Sequence, residues 1–297
     1  MKSRSKFIKS LVGIAAITSI SLVSLTGCTF GFNYTYANAD KYEAGDQTFT
    51  EDIDTINIDY RSGEVKLTSD SKSKIFVKET SNKTLDESHM VHTWVDGSTL
   101  YVKYCESTSN INFENVHKEL EVIIPEDLKL DELKIEVSSA ETDIQCSAKN
   151  IEINSSSGDV NLTQKGDSDF ISIDTSSGKV NATVENVETM KNNASSGNIK
   201  VAGDFIKKLT SDSSSGNAEY SLKTAPESSN ISASSGNVNV NVPVDSDLKA
   251  SLDVSSGKIN YDLPFTKDDN SYVCGKGTNK MSIDTSSGNI NINKLDD

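Results

Sequence analysis

The second half of the sequence repeats the tripeptide Ser-Ser-Gly at a nearly constant interval. Seven copies occur, and their glycines are Gly158, Gly178, Gly197, Gly216, Gly236, Gly257 and Gly288. The intervals are 19 to 21 residues, except for the last, which is 31. A fixed period of this length indicates stacked structural units, because one such unit is too short to bury its own apolar face.

Apolar and small residues alternate with polar residues around each glycine, which is the period of a β-strand. We expect inward side chains seven, five, three and one residues before the glycine, and two and four residues after it. For Gly158 these positions are Ile151, Ile153, Ser155, Ser157, Val160 and Leu162. The parity changes at the glycine, so the pattern predicts a corner there, with glycine supplying the φ freedom.

Two degenerate copies, around Gly63 and Ala140, fit the same template. The sequence therefore predicts an all-β, single-chain β-solenoid (β-helix) with 19–21 residues per coil. Seven to nine coils, stacked at about 4.8 Å, would form a rod of roughly 35–45 Å. A flexible Ser/Gly linker is the alternative, but the apolar period persists on both sides of every glycine.

The region between the two degenerate copies lacks the Ser-Ser-Gly corner. Three stretches there are predicted strands: Ile75 to Thr80, Thr99 to Tyr104 and Leu120 to Ile124. We interpret residues 51–130 as an N-terminal β region, in which a first coil is followed by irregular or capping strands that protect the sheet edge. Residues 131–297 are the predicted Ser-Ser-Gly solenoid.

Residues 1–28 are typical of a bacterial lipoprotein signal peptide. Basic residues at the start precede an apolar stretch from Leu11 to Leu25, which is short for a membrane span. The stretch ends in Leu25-Thr26-Gly27-Cys28, which resembles a lipobox and predicts lipidation of Cys28. An ordinary cleaved signal with an incidental cysteine is the alternative. Residues 29–50 are polar and are predicted to form a flexible tether.

The charge limits the class of partner. The chain carries −15, and removal of the signal with its four basic residues gives −15 − 4 = −19. Such a body repels nucleic acid and anionic lipid. We therefore expect no nucleic-acid partner. No second apolar run of spanning length follows the signal, so the lipid anchor is the only membrane contact that the sequence predicts. The protein is expected to be exported, anchored to the cell membrane and exposed outside the cytoplasm.

Three cysteines remain besides Cys28: Cys105, Cys146 and Cys274. An odd number excludes a fully paired disulfide framework. One disulfide with one free thiol, and three isolated structural cysteines, both remain open. Their spacing matches no zinc site.

No catalytic or cofactor-binding motif occurs, so we expect a non-enzymatic protein without a cofactor or metal. His89, His92 and His117 lie in the least regular part of the chain. His89 and His92 could share a site with Asp86 or Glu87, but scattered surface histidines are the simpler interpretation.

Stacking would align outward residues into columns. Three residues after each glycine, the candidate binding face contains Asn161, Asn181, Asn239, Asn260 and Asn291. An asparagine ladder there would stabilise the strands, or it could contact a glycan or protein. A more acidic column four residues before the glycine, including Asp174, Asp253 and Asp284, could instead hold Ca²⁺.

The last interval contains an insertion, from Pro264 to Lys280, with Lys267, Asp268, Asp269, Tyr272, Cys274 and Gly277. Insertions in solenoids often lie on the binding face. A loop without a binding role is the alternative.

Four short stretches resemble the bacterial DUF4097 family, which is labelled putative adhesin. They are Ser156-Ser157-Gly158-Asp159-Val160, Ser196-Gly197-Asn198-Ile199, Ser235-Gly236-Asn237-Val238 and Ser287-Gly288-Asn289-Ile290. The segments Ile56 to Val65 and Leu120 to Pro125 are similar to the family too, and the likeness runs from about Asp54 to Asn293. The resemblance implies a β-helical surface protein with an adhesive or scaffolding role, and it brings no catalytic residues.

Three functions are compatible with these features. The first is a non-catalytic, lipid-anchored surface protein, an adhesin or envelope scaffold, that presents a polar face to an envelope or extracellular protein or to a glycan. The second is an envelope-stress component that binds cationic antimicrobial peptides. The third is a polysaccharide-acting β-helix enzyme, which requires clustered Asp, Arg or Lys residues that the sequence does not show.

Overall fold

The computed structural model describes residues 34–71, 73–109, 116–268 and 271–295. Within these ranges the chain forms β-strands and two short 3-10 helices, Ala39–Lys41 and Glu87–His89, without an α-helix. The fold is therefore all-β and solenoid-like, as predicted. The same ranges contain no helix with the length and apolarity of a membrane span. Cys28 lies outside the described residues.

Eight strands lie before residue 130. They are β1 (Glu43–Ala44), β2 (Gln47–Phe49), β3 (Thr55–Tyr60), β4 (Glu64–Asp70), β5 (Ile75–Ser81), β6 (His92–Asp96), β7 (Thr99–Lys103) and β8 (Lys118–Pro125). The parallel partners of β7 and β8 are β3 and β4. On their other edges, β7 and β8 pair antiparallel with β6 and β5. Antiparallel strands thus pair with the outermost strands of the parallel stack at this end.

Residues 34–49 belong to this folded region. Tyr34 is buried, and its hydroxyl donates to the backbone carbonyl of Asp59 at 3.1 Å. β1 pairs with β6 and β2 pairs with β5. The predicted tether is therefore wrong for these residues, because their aromatic side chains bury apolar surface despite the polar composition. Residues 29–33 lie outside the described part.

The middle of the chain is a stack of parallel strands. They are β9 (Leu130–Val137), β10 (Glu141–Cys146), β11 (Ala148–Ser155), β12 (Val160–Thr175), β13 (Val180–Ala194) and β14 (Ile199–Ser215). Val160 pairs with Val180, which in turn pairs with Ile199. Ile151, Ile171 and similar side chains are fully buried, so each coil covers the apolar face of the next.

The C-terminal strands do not stack in sequence order. They are β15 (Ala218–Leu222), β16 (Ser228–Ser235), β17 (Val238–Val242), β18 (Leu248–Ser256), β19 (Ile259–Tyr261), β20 (Thr266–Asp268), β21 (Ser271–Cys274), β22 (Asn279–Ser287) and β23 (Ile290–Lys294). β22 pairs with both β16 and β18, and β23 pairs with both β17 and β19. The last coil in sequence therefore lies between the two coils that precede it.

The same displacement occurs at the other end. β3 lies between β7 and β9, and β4 lies between β8 and β10. The first coil of the sequence is therefore the second in the stack.

The corner glycines form one column through the stack. A Cβ atom at Gly178 would lie 1.9 Å from the carbonyl oxygen of Gly158, and one at Gly197 would lie 1.7 Å from that of Gly178. The contacts continue in spatial order, with Gly288 against Gly236 and Gly257 against Gly288. No side chain fits between backbones this close.

Two details of the corner differ from the sequence template. The serine directly before the glycine, such as Ser157 or Ser177, is exposed, because the buried glycine itself occupies the inward position. The φ angle is not the main requirement either, since Gly158, Gly178 and the next two corner glycines have no positive φ. Close backbone approach is what demands glycine at these positions.

Candidate functional site

The predicted asparagine face consists of hydrogen-bonded side-chain amides. Nδ2 of Asn181 donates to Oδ1 of Asn161 at 3.0 Å. Nδ2 of Asn291 donates to Oδ1 of Asn239 at 2.7 Å, and Nδ2 of Asn260 donates to Oδ1 of Asn291 at 2.8 Å. The structure thus places these five residues in two ladders.

The two ladders are separated by a pair of charges. Lys200 follows Asn181 in the column, and Glu219 precedes Asn239. Nζ of Lys200 lies 3.5 Å from Oε1 of Glu219, and both side chains are largely exposed. The predicted asparagine face is therefore divided into two groups. Asn161 and Asn181 form a pair near the middle of the stack, and Asn239, Asn291 and Asn260 form a triplet near its C-terminal end.

A second column widens the triplet, and the sequence reasoning missed it. Nδ2 of Asn293 donates to Oδ1 of Asn241 at 2.9 Å, and Asn241 donates to Oγ of Ser221 at 3.1 Å. The signal was present in the alternating stretches Asn237 to Val242 and Asn289 to Asn293. We call the combined surface the amide face; it consists of Asn239, Asn241, Asn260, Asn291 and Asn293.

A third set of asparagines directly follows the corner glycines. Oδ1 of Asn198 accepts the backbone N–H of Asn217, and Oδ1 of Asn217 accepts that of Asn237, both at 2.9 Å. Oδ1 of Asn237 accepts the N–H of Asn289 at the same distance. Because these amides satisfy backbone donors, we assign them a structural role at the corner.

The amide face can form further hydrogen bonds in both directions. A side-chain amide has two N–H donors and an oxygen with two lone pairs. A ladder uses one donor and one lone pair, so the others remain for solvent or a ligand. The face carries neither charge nor a nucleophile. This chemistry suits a ligand that is rich in hydroxyl or amide groups.

The more acidic column does not form a metal site. Asp253 and Asp284 are in register, but Asp284 accepts a hydrogen bond from Ser232 Oγ at 2.7 Å. Asp174 accepts one from Asn193. Among the described residues, no three His, Cys, Asp or Glu side chains are grouped to hold a metal ion.

The histidines do not converge on one site. Nδ1 of His89 lies 2.5 Å from Oδ1 of Asp86, and this hydrogen bond lowers the pKa of Asp86. His92 is buried, with its Nδ1 3.0 Å from the carbonyl oxygen of Met90. The Asp86 carboxylate also accepts the backbone N–H of His89 and thereby caps the short 3-10 helix.

The family model of the Toastrack DUF4097 family matches residues 53–293. The chain belongs to this family. The match covers the solenoid and most of the N-terminal strands, which confirms the resemblance in the sequence. No curated protein matches the chain.

Three solved structures are similar to the chain at low sequence identity. A putative lipid binding protein from Parabacteroides distasonis is 16% identical, with 86% of this chain and 97% of that chain covered and a TM-score of 0.47. A putative adhesin from Bacteroides fragilis is 12% identical, with 84% and 96% covered and a TM-score of 0.41. A putative cell adhesion protein from Clostridium sporogenes is 14% identical, with 85% and 100% covered and a TM-score of 0.23.

The three described cysteines of the Toastrack domain are free and buried. Burial raises the pKa of Cys105 to about 11 and that of Cys146 to about 12. The pKa of Cys274 is raised by burial too. The thiols are therefore protonated at neutral pH, as structural cysteines are, and none forms a disulfide.

A buried ion pair in the Toastrack domain was not visible in the sequence. Nζ of Lys118 lies 2.8 Å from Oε1 of Glu79, and their side chains are only 1% and 5% exposed. Lys118 also donates to the carbonyl oxygens of His89 and Tyr104. Tyr60 donates to the Glu79 carboxylate at 2.7 Å. Burial lowers the pKa of Lys118 and raises that of Glu79.

This pair closes the column of corner glycines. Lys118 occupies the corner next to Gly63, since a Cβ atom at Gly63 would meet the Lys118 carbonyl oxygen. Its Nζ lies 4.0 Å from the centre of the Tyr104 ring. Because Lys118 and the side chains of Glu79, Tyr60 and Tyr104 are buried, we assign the cluster a structural role in the coil that contains β8.

The insertion at 264–280 forms a hairpin. β20 and β21 pair antiparallel, and residues 272–274 of β21 pair with Leu248 to Ala250. Tyr261, Phe265 and Tyr272 form an edge-to-face ring cluster beside the hairpin. The hairpin carries the chain back from the outermost coil, which explains the long last interval. Asp269 lies outside the described residues.

Proposed function

We propose that this protein is a non-catalytic, lipid-anchored surface module, an adhesin or envelope scaffold, that binds a partner through the amide face. The amide ladders carry the proposal. They present donors and acceptors at the spacing of stacked strands, about 4.8 Å. A glycan, with hydroxyl groups along an extended chain, or a polar protein surface fits this chemistry.

The architecture in this proposal is a stack of coils of 19–21 residues with an irregular N-terminal cap. Stacked coils are rigid, so binding groups on one face are ordered before the ligand arrives. Such preorganisation reduces the entropy that binding would otherwise lose.

The anchor in this proposal is a lipid on Cys28, which follows the lipobox-like Leu25-Thr26-Gly27. It would hold the folded domain at the outer surface of the cell membrane. Radiolabelled palmitate and membrane fractionation test the anchor. We expect label and membrane retention in the wild type, and loss of both in Cys28→Ala. A Cys28→Ala variant that stays labelled and membrane-bound would disprove the anchor.

A glycan array, together with a pull-down from whole cells, tests the amide face. The probe is the soluble chain from residue 29. We expect a bound glycan or envelope protein, and at least tenfold weaker binding when Asn239 and Asn291 are both replaced by alanine, since two hydrogen-bonding groups, each worth about 1 kcal/mol, are lost.

The matched control replaces Asn230 on β16 and Ser282 on β22. These residues are exposed and pair with each other, but they lie on the strands before the corner glycine and not on the amide face. Their replacement by alanine should leave binding unchanged. Equal losses in both variants would contradict a role for the amide face. Two further assays test the alternatives. Titration with a cationic peptide at low and high salt tests peptide binding, and incubation with polysaccharides, assayed for new reducing ends, tests enzymatic activity.

A further inference from the structure

Four half-buried aromatic rings form a continuous row on the surface of the N-terminal strands. The ring centres of Tyr36 and Tyr42 are 4.8 Å apart, those of Tyr42 and Trp94 are 5.5 Å apart, and those of Trp94 and Tyr101 are 5.4 Å apart. We call these four residues the aromatic row. The row contains four rings, one more than the cluster of Tyr261, Phe265 and Tyr272 at the other end of the stack.

The strand pairing explains how the row forms. Trp94 and Tyr101 are directly opposite each other on the antiparallel strands β6 and β7, and their rings stack. On β7 the alternate residues Leu100 and Val102 are fully buried, so Tyr101 faces outward. The N-terminal segment then lays Tyr42 and Tyr36 beside Trp94.

The charged side chains around the aromatic row are of both signs. Nζ of the exposed Lys41 lies 4.7 Å from the centre of the Trp94 ring. Nearby in sequence, Asp40, Glu43 and Asp96 are exposed and negatively charged. Nζ of Lys103 also lies 5.7 Å from the centre of the Tyr36 ring. The surface thus carries both signs of charge, without the net positive charge that would attract anionic lipid or nucleic acid.

The row lies where the chain leads back towards Cys28. The buried Tyr34 packs edge-to-face on Tyr36, with ring centres 5.4 Å apart. Five residues lie between Cys28 and Tyr34, so six residue-to-residue steps join them. At about 3.5 Å per extended residue, a lipid on Cys28 attaches within roughly 20 Å of Tyr34. A bilayer that holds this lipid is therefore within reach of the aromatic row.

We propose that the aromatic row is a membrane-docking surface that inserts into the headgroup region of a zwitterionic phospholipid bilayer. Tyrosine and tryptophan favour this region because each has an apolar ring and a polar group that stays hydrated. The proposal rests on the lipid anchor of the proposed function, and it adds a second membrane contact where the sequence predicted the lipid alone. The row would hold the N-terminal end of the domain against the bilayer and thereby orient the amide face.

Trp94 is the protein's one tryptophan, so its fluorescence reports on the row directly. The soluble chain from residue 29, with an N-terminal hexahistidine tag, is attached to phosphatidylcholine vesicles through a nickel-chelating lipid. This tether replaces the natural lipid, so the outcome does not depend on whether Cys28 is lipidated. We expect brominated acyl chains to quench at least half of the Trp94 emission relative to unbrominated vesicles.

A Tyr42→Ser/Tyr101→Ser variant should lose most of this quenching. The matched control, Tyr261→Ser/Phe265→Ser, removes aromatic rings at the other end of the stack and should keep it. Circular dichroism verifies that both variants fold. Aqueous acrylamide quenching of wild-type Trp94 should fall on attachment, which tests the proposal without any substitution. Equal Trp94 emission on brominated and unbrominated vesicles, with acrylamide quenching that does not change on attachment, would overturn the proposal. The row would then serve only to hold the N-terminal segment.

Discussion

At the scale of single residues, the corner glycine is required by the distance between neighbouring backbones. In Gly178→Ala the new methyl group would lie 1.9 Å from the Gly158 carbonyl oxygen, so the two coils must separate. We expect a loss of at least about 1–3 kcal/mol in the free energy of unfolding, measured with urea. The exposed neighbour gives the control: Ser177→Ala should change it by less than about 0.5 kcal/mol.

Asn192 is an exception to the apolar interior. It is fully buried, and neither its Oδ1 nor its Nδ2 has a hydrogen-bond partner. Its paired residues are Ile173 on the preceding coil and Ser211 on the following coil. Because an unpaired buried amide costs about 1–3 kcal/mol, Asn192→Val should raise the free energy of unfolding. A clear decrease in the urea midpoint would show that this amide is satisfied in solution.

The buried ion pair predicts non-additive effects. Glu79→Ala leaves the Lys118 ammonium buried without its counter-charge, and should cost about 3–5 kcal/mol of stability. The double variant Glu79→Leu/Lys118→Met removes both charges. Its free energy of unfolding, measured by thermal and urea denaturation, should equal or exceed that of the wild type. If the double variant lost as much stability as Glu79→Ala and Lys118→Met together, the effects would be additive, and the two side chains would not be energetically coupled.

The residue scale also shows what sequence reasoning can and cannot reach. The period of two and the spacing of the glycines predict the strands, the corners and the ladder at Asn239, Asn260 and Asn291. The contact between Lys118 and Glu79 joins strands far apart in sequence, and no local pattern marks it. The aromatic row was missed for a similar reason, since its rings come from separate segments.

At the scale of strands, the order of stacking was the main feature that the sequence did not reveal. The interval of 31 residues before Gly288 signals an insertion, but an insertion has the same length whether the chain continues outward or turns back. Whether the chain continues outward or turns back depends on tertiary packing. β18 and β19 form the outermost coil, and β22 and β23 supply its partners.

Truncation tests this arrangement. A chain ending at Thr278 lacks β22 and β23, so β18 and β19 lose their parallel partners. Residues 248–250 keep their antiparallel pairing with β21. We therefore expect amide protons of residues 251–261 to lose protection from hydrogen exchange, while those of residues 151–215 keep it, because coils contact only their neighbours. Retained protection of residues 251–261 would indicate that β18 and β19 pair directly with β16 and β17.

At the scale of the whole molecule, the fold joins two surfaces with different chemistry. The aromatic row lies on the N-terminal strands, and the amide face lies on the C-terminal strands. The rigid stack between them is acidic overall, which disfavours close approach to anionic surfaces. The proposed anchor, docking surface and amide face would together present a polar ligand site away from the membrane.

The stacking of coils, and its order, is the claim on which the rest depends. Spin labels at Asn161, paired with Asn260 or with Asn291, measure it by pulsed electron paramagnetic resonance; the buried native thiols stay unlabelled. Asn291 is five strands from Asn161 and Asn260 is six. At about 4.8 Å per strand, we predict separations of roughly 24 Å and 29 Å. A longer distance to Asn291 than to Asn260 would contradict the order, and distances far from both values would contradict the stack.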